Sequence, residues 1–177
     1  MNYCSHCGSA QLILTVPEGD TIPRCVCSEC HTIHYQNPKI VTGCLPEWED
    51  KILLCKRAIE PRYGLWTLPA GFMENNETVS QGAVRESWEE ARANLEQLSL
   101  YVMISLPYIS QVYMMFRAQL CDLTFAPGPE SLEVRLFTQD EIPWEKIAFP
   151  VIQRTLTYYF QDRATGQFPL HVSEINR

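Results

Sequence analysis

The sequence predicts an α/β domain preceded by a small metal-held ribbon. Two CxxC pairs open the chain, at Cys4/Cys7 and Cys27/Cys30. Apolar, strand-like segments lie on both sides of an acid-bearing helix that starts near Thr78, and a second helix comes late, after Phe149-Pro150. The expected domains are residues 1–36 for the ribbon and 37–177 for the larger domain.

A chain of 177 residues with 46% hydrophobic content is long enough to bury one real core plus a small appendage. Its formal net charge of −7 argues against general nucleic-acid binding, which favours a basic patch. An anionic small-molecule substrate is still compatible, because bound cations reverse the sign locally. No apolar run is long enough to span a bilayer, so no membrane partner is expected. Cys4 follows Met1 almost at once, which leaves no room for a targeting segment and predicts a cytoplasmic protein. Homodimers are the commonest oligomers, but nothing in the sequence shows one.

Eight cysteines are present, five of them within the first thirty residues. Without a secretory signal, that clustering reads as metal binding rather than disulfides. Cys4, Cys7, Cys27 and Cys30 can present four thiolates tetrahedrally to Zn²⁺. Cys25 is an alternative to Cys27, and His6, His31 and His34 are further candidates. Four thiolates leave no open position, so this zinc is expected to be structural. Leu12 to Val16 and Thr21 to Cys27 read as short strands about the turn Pro17-Glu18-Gly19-Asp20, followed by Thr32 to Tyr35. So small a unit lacks a core of its own, and the metal is expected to hold it. Cys44, Cys55 and Cys121 lie in apolar segments and read as core residues.

In the larger domain, Ile40 to Leu45 and Lys51 to Lys56 read as paired strands across a turn from Pro46 to Asp50. Arg57 to Gly64 is a loop broken by Pro61. Thr78-Val79-Ser80-Gln81 matches a capping box and opens a helix. Its packing face is predicted at Val84, Ser87, Trp88 and Ala91, and its end at Asn94. Val79 and Ala83 continue the acid-bearing face, which is expected to be half buried and to line a cleft. Leu98 to Leu106, Gln111 to Leu120 and Glu133 to Phe137 read as strands, and Val151 to Ala164 as a helix stopped by Gly166.

On that first helix Glu86, Glu89 and Glu90 stand at i, i+3 and i+4 and share one face. Carboxylates so close repel one another, and late in a helix they oppose its macrodipole. A bound cation resolves both problems. Oxygen-only ligands suit Mg²⁺ or Mn²⁺, shared with a substrate phosphate. The bland alternative is a solvated acidic face.

The surrounding residues favour the metal. Gly71, Glu77, Arg85, Glu86, Glu89 and Glu90 keep the register of the box of the Nudix hydrolases, and Trp66-Thr67-Leu68-Pro69-Ala70-Gly71 resembles the approach to it. Ser87, Arg92 and Ala93 depart from the pattern, where the family has an aliphatic, a glycine and an aliphatic. The resemblance implies a Nudix α/β/α sandwich behind a zinc ribbon. It implies Glu86, Glu89, Glu90 and the Gly71 carbonyl as Mg²⁺ or Mn²⁺ ligands, and Glu77–Arg85 as an orienting ion pair. Glu74 is either an addition to the metal site or merely exposed. A general base is expected on the box or on a later loop, where Glu133 is preferred to Glu130.

The implied reaction is hydrolysis of the pyrophosphate bond of a nucleoside diphosphate linked to another moiety, releasing AMP. Ribbon and box together resemble the ADP-ribose and FAD pyrophosphatases. NADH pyrophosphatases share the arrangement, but the Ser-Gln-Pro-Trp-Pro-Phe-Pro-type array that they carry after the box is missing here. The same box also serves nucleoside triphosphate pyrophosphatases that sanitise damaged nucleotides, and the same fold can act as a non-catalytic nucleotide sensor. Arg57 is a candidate for a substrate phosphate, and Tyr63, Trp66 and Tyr108 for a purine or flavin ring.

Overall fold

A computed structural model describes residues 1–176. They form two compact units, Met1–Asn37 and a larger one beginning at Pro38.

The first unit is a three-stranded antiparallel sheet of β1 (Leu12–Thr15), β2 (Arg24–Cys27) and β3 (Ile33–His34), in that order. β2 starts later than Thr21 for a local reason. The Thr21 and Ile22 amides donate to Asp20 Oδ1 at 2.8 and 3.4 Å, and Pro23 has no amide to offer a ladder. Two tight turns bring the cysteines together: Gly8 N–H donates to Cys4 O, and His31 N–H to Cys27 O, each at 2.9 Å. The ligand atoms of Cys4, Cys7, Cys27 and Cys30 all lie within 4.8 Å of one another. Cys25, which pairs with Leu14 and His34 in the sheet, is outside this set.

The second unit contains β4 (Lys39–Trp48), β5 (Lys51–Arg57), β6 (Trp66–Thr67), β7 (Ala70–Phe72), α1 (Val79–Ala91), β8 (Leu95–Leu106), β9 (Gln111–Leu120), β10 (Ser131–Phe137), α2 (Pro150–Thr165) and β11 (His171–Glu174). The main path of its sheet runs β10-β5-β4-β9-β8-β11, with β6 on β5 and β7 on β4. Neighbouring residues on the central strands face opposite sides. Leu45, Ile52 and Leu54 pack with Val151, Ile152 and Leu156 of α2. Cys44 packs with Ala83, and Leu53 and Cys55 with Ala91, all under α1. The two helices therefore cover opposite faces, giving an α/β/α sandwich. Burial on both faces explains why β4 reads as a continuous apolar run rather than an alternating one.

Several expectations need correction. β4 continues through Pro46 to Trp48, and the turn is only Glu49-Asp50. Cys44 N–H points to Pro69 O, so Pro46, two residues on, faces the same side. There it falls between the β7 ladder, which ends at Gly43, and the β5 ladder, which begins at Glu47, where no amide is needed. Cys121 is exposed just beyond β9 and is not a core residue. The short strand β11, parallel to β8, has no apolar run to announce it.

The packing face of α1 is only partly the predicted one: Ser87 and Ala91 are buried as expected. Val84 and Trp88 are exposed, while Gly82, Ala83, Glu86, Ser87, Glu90 and Ala91 are buried. The acid stripe thus lies at the edge of the face that meets the sheet. Thr78 is the N-cap, with both hydrogen bonds of the capping box formed to Gln81. The helix stops at Arg92, not Asn94. Arg92 adopts the left-handed conformation at φ 52°, its amide reaches Ser87 O and Trp88 O, and its guanidinium lies 5.6 Å from the Trp88 ring centroid. Those contacts offset the strain that a side chain meets there.

Candidate functional site

Close backbone approach builds the site. Strand β7 lies against α1, and a Cβ at Gly71 would run into the Glu86 carboxylate. The loop after β9 is pressed equally hard onto the end of α1. Ala126 N–H donates to Ala91 O and Gly128 N–H to Glu90 O, each at 2.9 Å, and a Cβ on Gly128 would overlap the Glu89 carbonyl. These bonds satisfy carbonyls that a helix end leaves orphaned. They also deliver Pro129 and Glu130 to the acid stripe.

The acids are held by one cation. Arg85 Nε and Nη2 meet Glu77 Oε2 and Oε1 at 3.0 and 2.9 Å, and Nη1 meets Glu86 Oε1 at 2.8 Å and Glu89 Oε2 at 2.9 Å. Nη2 also donates to Phe72 O, tying β7 to the helix. The Glu77–Arg85 pair thus orients the loop and also grips two of the box acids. Its bidentate geometry holds the Glu77 carboxyl down at about 2. Glu90 is different. It is 6% exposed, no Lys, Arg or His among the described residues forms an ion pair with it, and the amide of Ala70 at 3.2 Å is its hydrogen-bond donor. Burial, with Glu86 and Glu130 adding repulsion, pushes its carboxyl up to about 8. Burial also raises Glu86. A buried carboxylate with no ion-pair partner among the described residues, beside two more acids, is a donor set that fits a hard divalent ion. Among the described residues, only the four ribbon cysteines have ligand atoms already converged on one point. With thiolates alone, those cysteines fit Zn²⁺.

Glu86, Glu89, Glu90 and Gly71 line a cleft of about 910 Å³. Arg57, Tyr108 and Glu74 line it too, whereas Tyr63, Trp66 and Glu133 do not. Tyr63 is an exposed loop residue. Trp66 is 7% exposed and packs edge-on against Phe137 at 4.8 Å, a core role that its approach-motif position does not reveal. Glu133 points outward on β10, 3.6 Å from Lys56 Nζ. Glu130, three residues earlier, is the loop acid that lines the cleft, close enough to raise both Glu86 and Glu90. Tyr113 and Phe149, which line the same cleft, are not among the residues expected from the sequence. No local motif marks either. They arrive through the pairing of β9 with β4 and the entry to α2.

Comparison with known proteins agrees with this geometry. Residues 38–160 match the NUDIX domain family and residues 2–36 the Nudix N-terminal family, a zinc ribbon. A crystal structure of a NUDIX hydrolase from Nitrosomonas europaea is 61% identical, with all of each chain covered and a TM-score of 0.95. The NAD-capped RNA hydrolase NudC of Photorhabdus laumondii is 28% identical over 80% of this chain and 53% of its own length. The chain thus spans about half the length of that relative. The ADP-ribose pyrophosphatase of Methanocaldococcus jannaschii is 30% identical over 65% of this chain and 69% of its own length. The match over most of the chain, with the box acids on α1 and the ribbon cysteines clustered, makes this protein a member of the Nudix hydrolase family.

Proposed function

We propose that the protein hydrolyses the pyrophosphate bond of a nucleoside diphosphate linked to another moiety, with ADP-ribose or FAD as first substrates and AMP as a product. The observation that carries this reading is the cleft itself. Its lining combines Glu86, Glu89, Glu90 and Glu130 with Tyr108, Tyr113, Phe149 and Arg57. The aromatic side chains suit a flat ring, and the cleft volume exceeds what a lone phosphate needs. Glu86, Glu89, Glu90 and the Gly71 carbonyl would hold Mg²⁺ or Mn²⁺, which neutralises the phosphoanhydride and activates water. Arg85 positions two of those acids, and Glu130, which lines the same cleft, would take a proton from an attacking water. Cys4, Cys7, Cys27 and Cys30 would hold a structural Zn²⁺. We read the protein as cytoplasmic; no helix among the described residues is long and apolar enough to cross a membrane.

The relative named an ADP-ribose pyrophosphatase supports the first reading. An NADH-type dinucleotide is the second, favoured by the likeness to an NAD-capped RNA hydrolase over 80% of this chain. A hydrolysis screen over ADP-ribose, FAD, NADH, CoA and nucleoside triphosphates with Mg²⁺ or Mn²⁺ separates them by product. AMP from ADP-ribose or FAD is expected, and pyrophosphate from triphosphates overturns the reading. Glu90→Gln should keep the fold and lose hydrolysis; full activity in that variant rules out this metal site.

A further inference from the structure

β1 is an outer strand of the ribbon sheet, whose order is β1-β2-β3. Two bonds at its start set its hydrogen-bond directions. Ser28 N–H donates to Gln11 O at 2.9 Å, and Cys27 N–H turns the other way, to Thr32 O at 3.0 Å. Antiparallel pairing alternates, so Ile13 and Thr15, opposite Val26 and Arg24, direct their backbone groups at β2. Leu12 and Leu14, and Val16 just past the strand, turn theirs outward. Leu12 N–H donates to Ala10 O at 3.0 Å. The Leu14 N–H and C=O, the Leu12 C=O and the Val16 N–H meet no partner among the described residues.

The side chains on this edge are as open as its backbone. Leu14 is 76% exposed, more than any other large apolar side chain among the described residues, and Ile13 and Val16 are each 51% exposed. Edge strands usually carry a charge, a proline or a bulge that wards off a further strand. Residues 8–16 contain no charged residue and no proline, and the β1–β2 register runs without a shift. In a chain of net charge −7, this neutral edge lets a second copy approach without like charges meeting. The open groups are also complementary to themselves. About a two-fold axis at Leu14, Leu14 N–H faces Leu14 O of the other copy in both directions, and Val16 N–H faces Leu12 O of the other copy in both directions. A partner of unrelated sequence would not need that symmetry.

We propose that the ribbon pairs with a second copy of itself, β1 against β1, antiparallel and centred on Leu14, so that two three-stranded sheets become one. The two Leu14 side chains then stand side by side on one face, and Ile13 meets Thr15 of the other copy on the opposite face. An edge running only from Leu12 to Val16 buries less than the roughly 1,600 Å² of a standard interface, so the dimer is concentration-dependent rather than obligate. The pairing does not rest on the hydrolase reading above.

Sedimentation equilibrium of the zinc-loaded full chain should show a reversible monomer–dimer step between about 1 μM and 1 mM. Residue-resolved amide hydrogen exchange should slow at least tenfold at Leu14 and Val16 as the protein is concentrated through that step, with Ile13 and Thr15 unchanged because β2 already holds them. Leu14→Lys puts two like charges across the axis and should leave monomer only, as should Leu14→Glu. An equimolar mixture of the two variants should recover a dimer, because opposite charges then face each other. Leu123→Lys, at another exposed apolar side chain, should leave the wild-type step in place. Unchanged exchange at Ile13 and Thr15 in the Leu14 variants shows that their ribbon is still folded, and the concentration dependence in wild type needs no variant. A chain that stays monomeric to about 1 mM, a dimer in which Leu14 and Val16 exchange as fast as in the monomer, or a mixture of the charged variants that associates no better than either alone overturns the pairing.

Discussion

Arg85 grips Glu77 through two parallel hydrogen bonds, Nε to Oε2 at 3.0 Å and Nη2 to Oε1 at 2.9 Å, across the loop that joins β7 to α1. The Arg85 hydrogen bonds lower the Glu77 carboxyl from its ordinary 4.5 to about 2. A depressed folded-state value means that the unfolded chain takes up the proton first, so the pair stabilises fully above 4.5 and loses its contribution as pH falls toward 2. Glu77→Gln should melt below wild type at neutral pH, with the gap narrowing below pH 4.5. Thermal melts of both proteins across this range check it, and a gap of constant size would show that the pair does not stabilise through charge.

The same pair shows what the sequence made legible. Gly71, Glu77, Arg85 and the acids could be read because the box compresses a three-dimensional site into one strand, loop and helix. Their spacing is their geometry. The clustering of Cys4, Cys7, Cys27 and Cys30 was legible for the same reason. Local capping rules likewise placed both helix starts. Glu130, Tyr113 and Phe149 reach the cleft through long-range pairing, for which a single sequence carries no local signal. Trp66 and Glu133 misled because short motifs give residue type and not facing: one turns into the core and the other out to Lys56. On α1 the half-buried acid face and the packing of Ser87 and Ala91 were legible, whereas Val84 and Trp88 misled because apolar side chains do not always face the core.

Glu130 and Glu133 give the clearest functional contrast. Gly128 pins the loop to α1 so that Glu130 lines the cleft, while Glu133 pairs with Lys56 away from it. A positioned general base contributes about 10²–10⁴ in rate. Glu130→Gln should lower kcat by about that factor, and Glu133→Gln should stay within about twofold because an exposed ion pair contributes little. Steady-state kinetics on the best substrate from the screen decide between them. The reverse order of effects would return the base to β10.

Arg92 holds a conformation in which a side chain costs about 1–2 kcal/mol relative to glycine. Its stacking on Trp88 recovers about 0.5–1 kcal/mol at an exposed site. Arg92→Gly should therefore be stabilising by up to about 1 kcal/mol, visible as a higher urea midpoint at unchanged slope. A lower midpoint would mean that Arg92 does more for the helix end than its stacking and hydrogen bonds account for.

Glu47 tests stability away from the cleft. Its side chain is 8% exposed and accepts from Arg117 Nε at 2.6 Å, Arg117 Nη2 at 3.2 Å and the Tyr159 hydroxyl at 3.0 Å. The cluster joins β4, β9 and α2, and none of its three members lines the cleft. Glu47→Ala strands the Arg117 charge and should cost about 3–5 kcal/mol. Tyr159→Phe loses one hydrogen bond to a charged acceptor and should cost about 1.5–3 kcal/mol. The double variant Glu47→Leu with Arg117→Met removes both charges together, so it should cost less than Glu47→Ala alone. Urea unfolding of these variants together with the single changes Glu47→Leu and Arg117→Met measures this coupling. If the double change cost as much as the sum of its parts, Glu47 and Arg117 would contribute independently, and the cluster would not be a cooperative tie between sheet and helix.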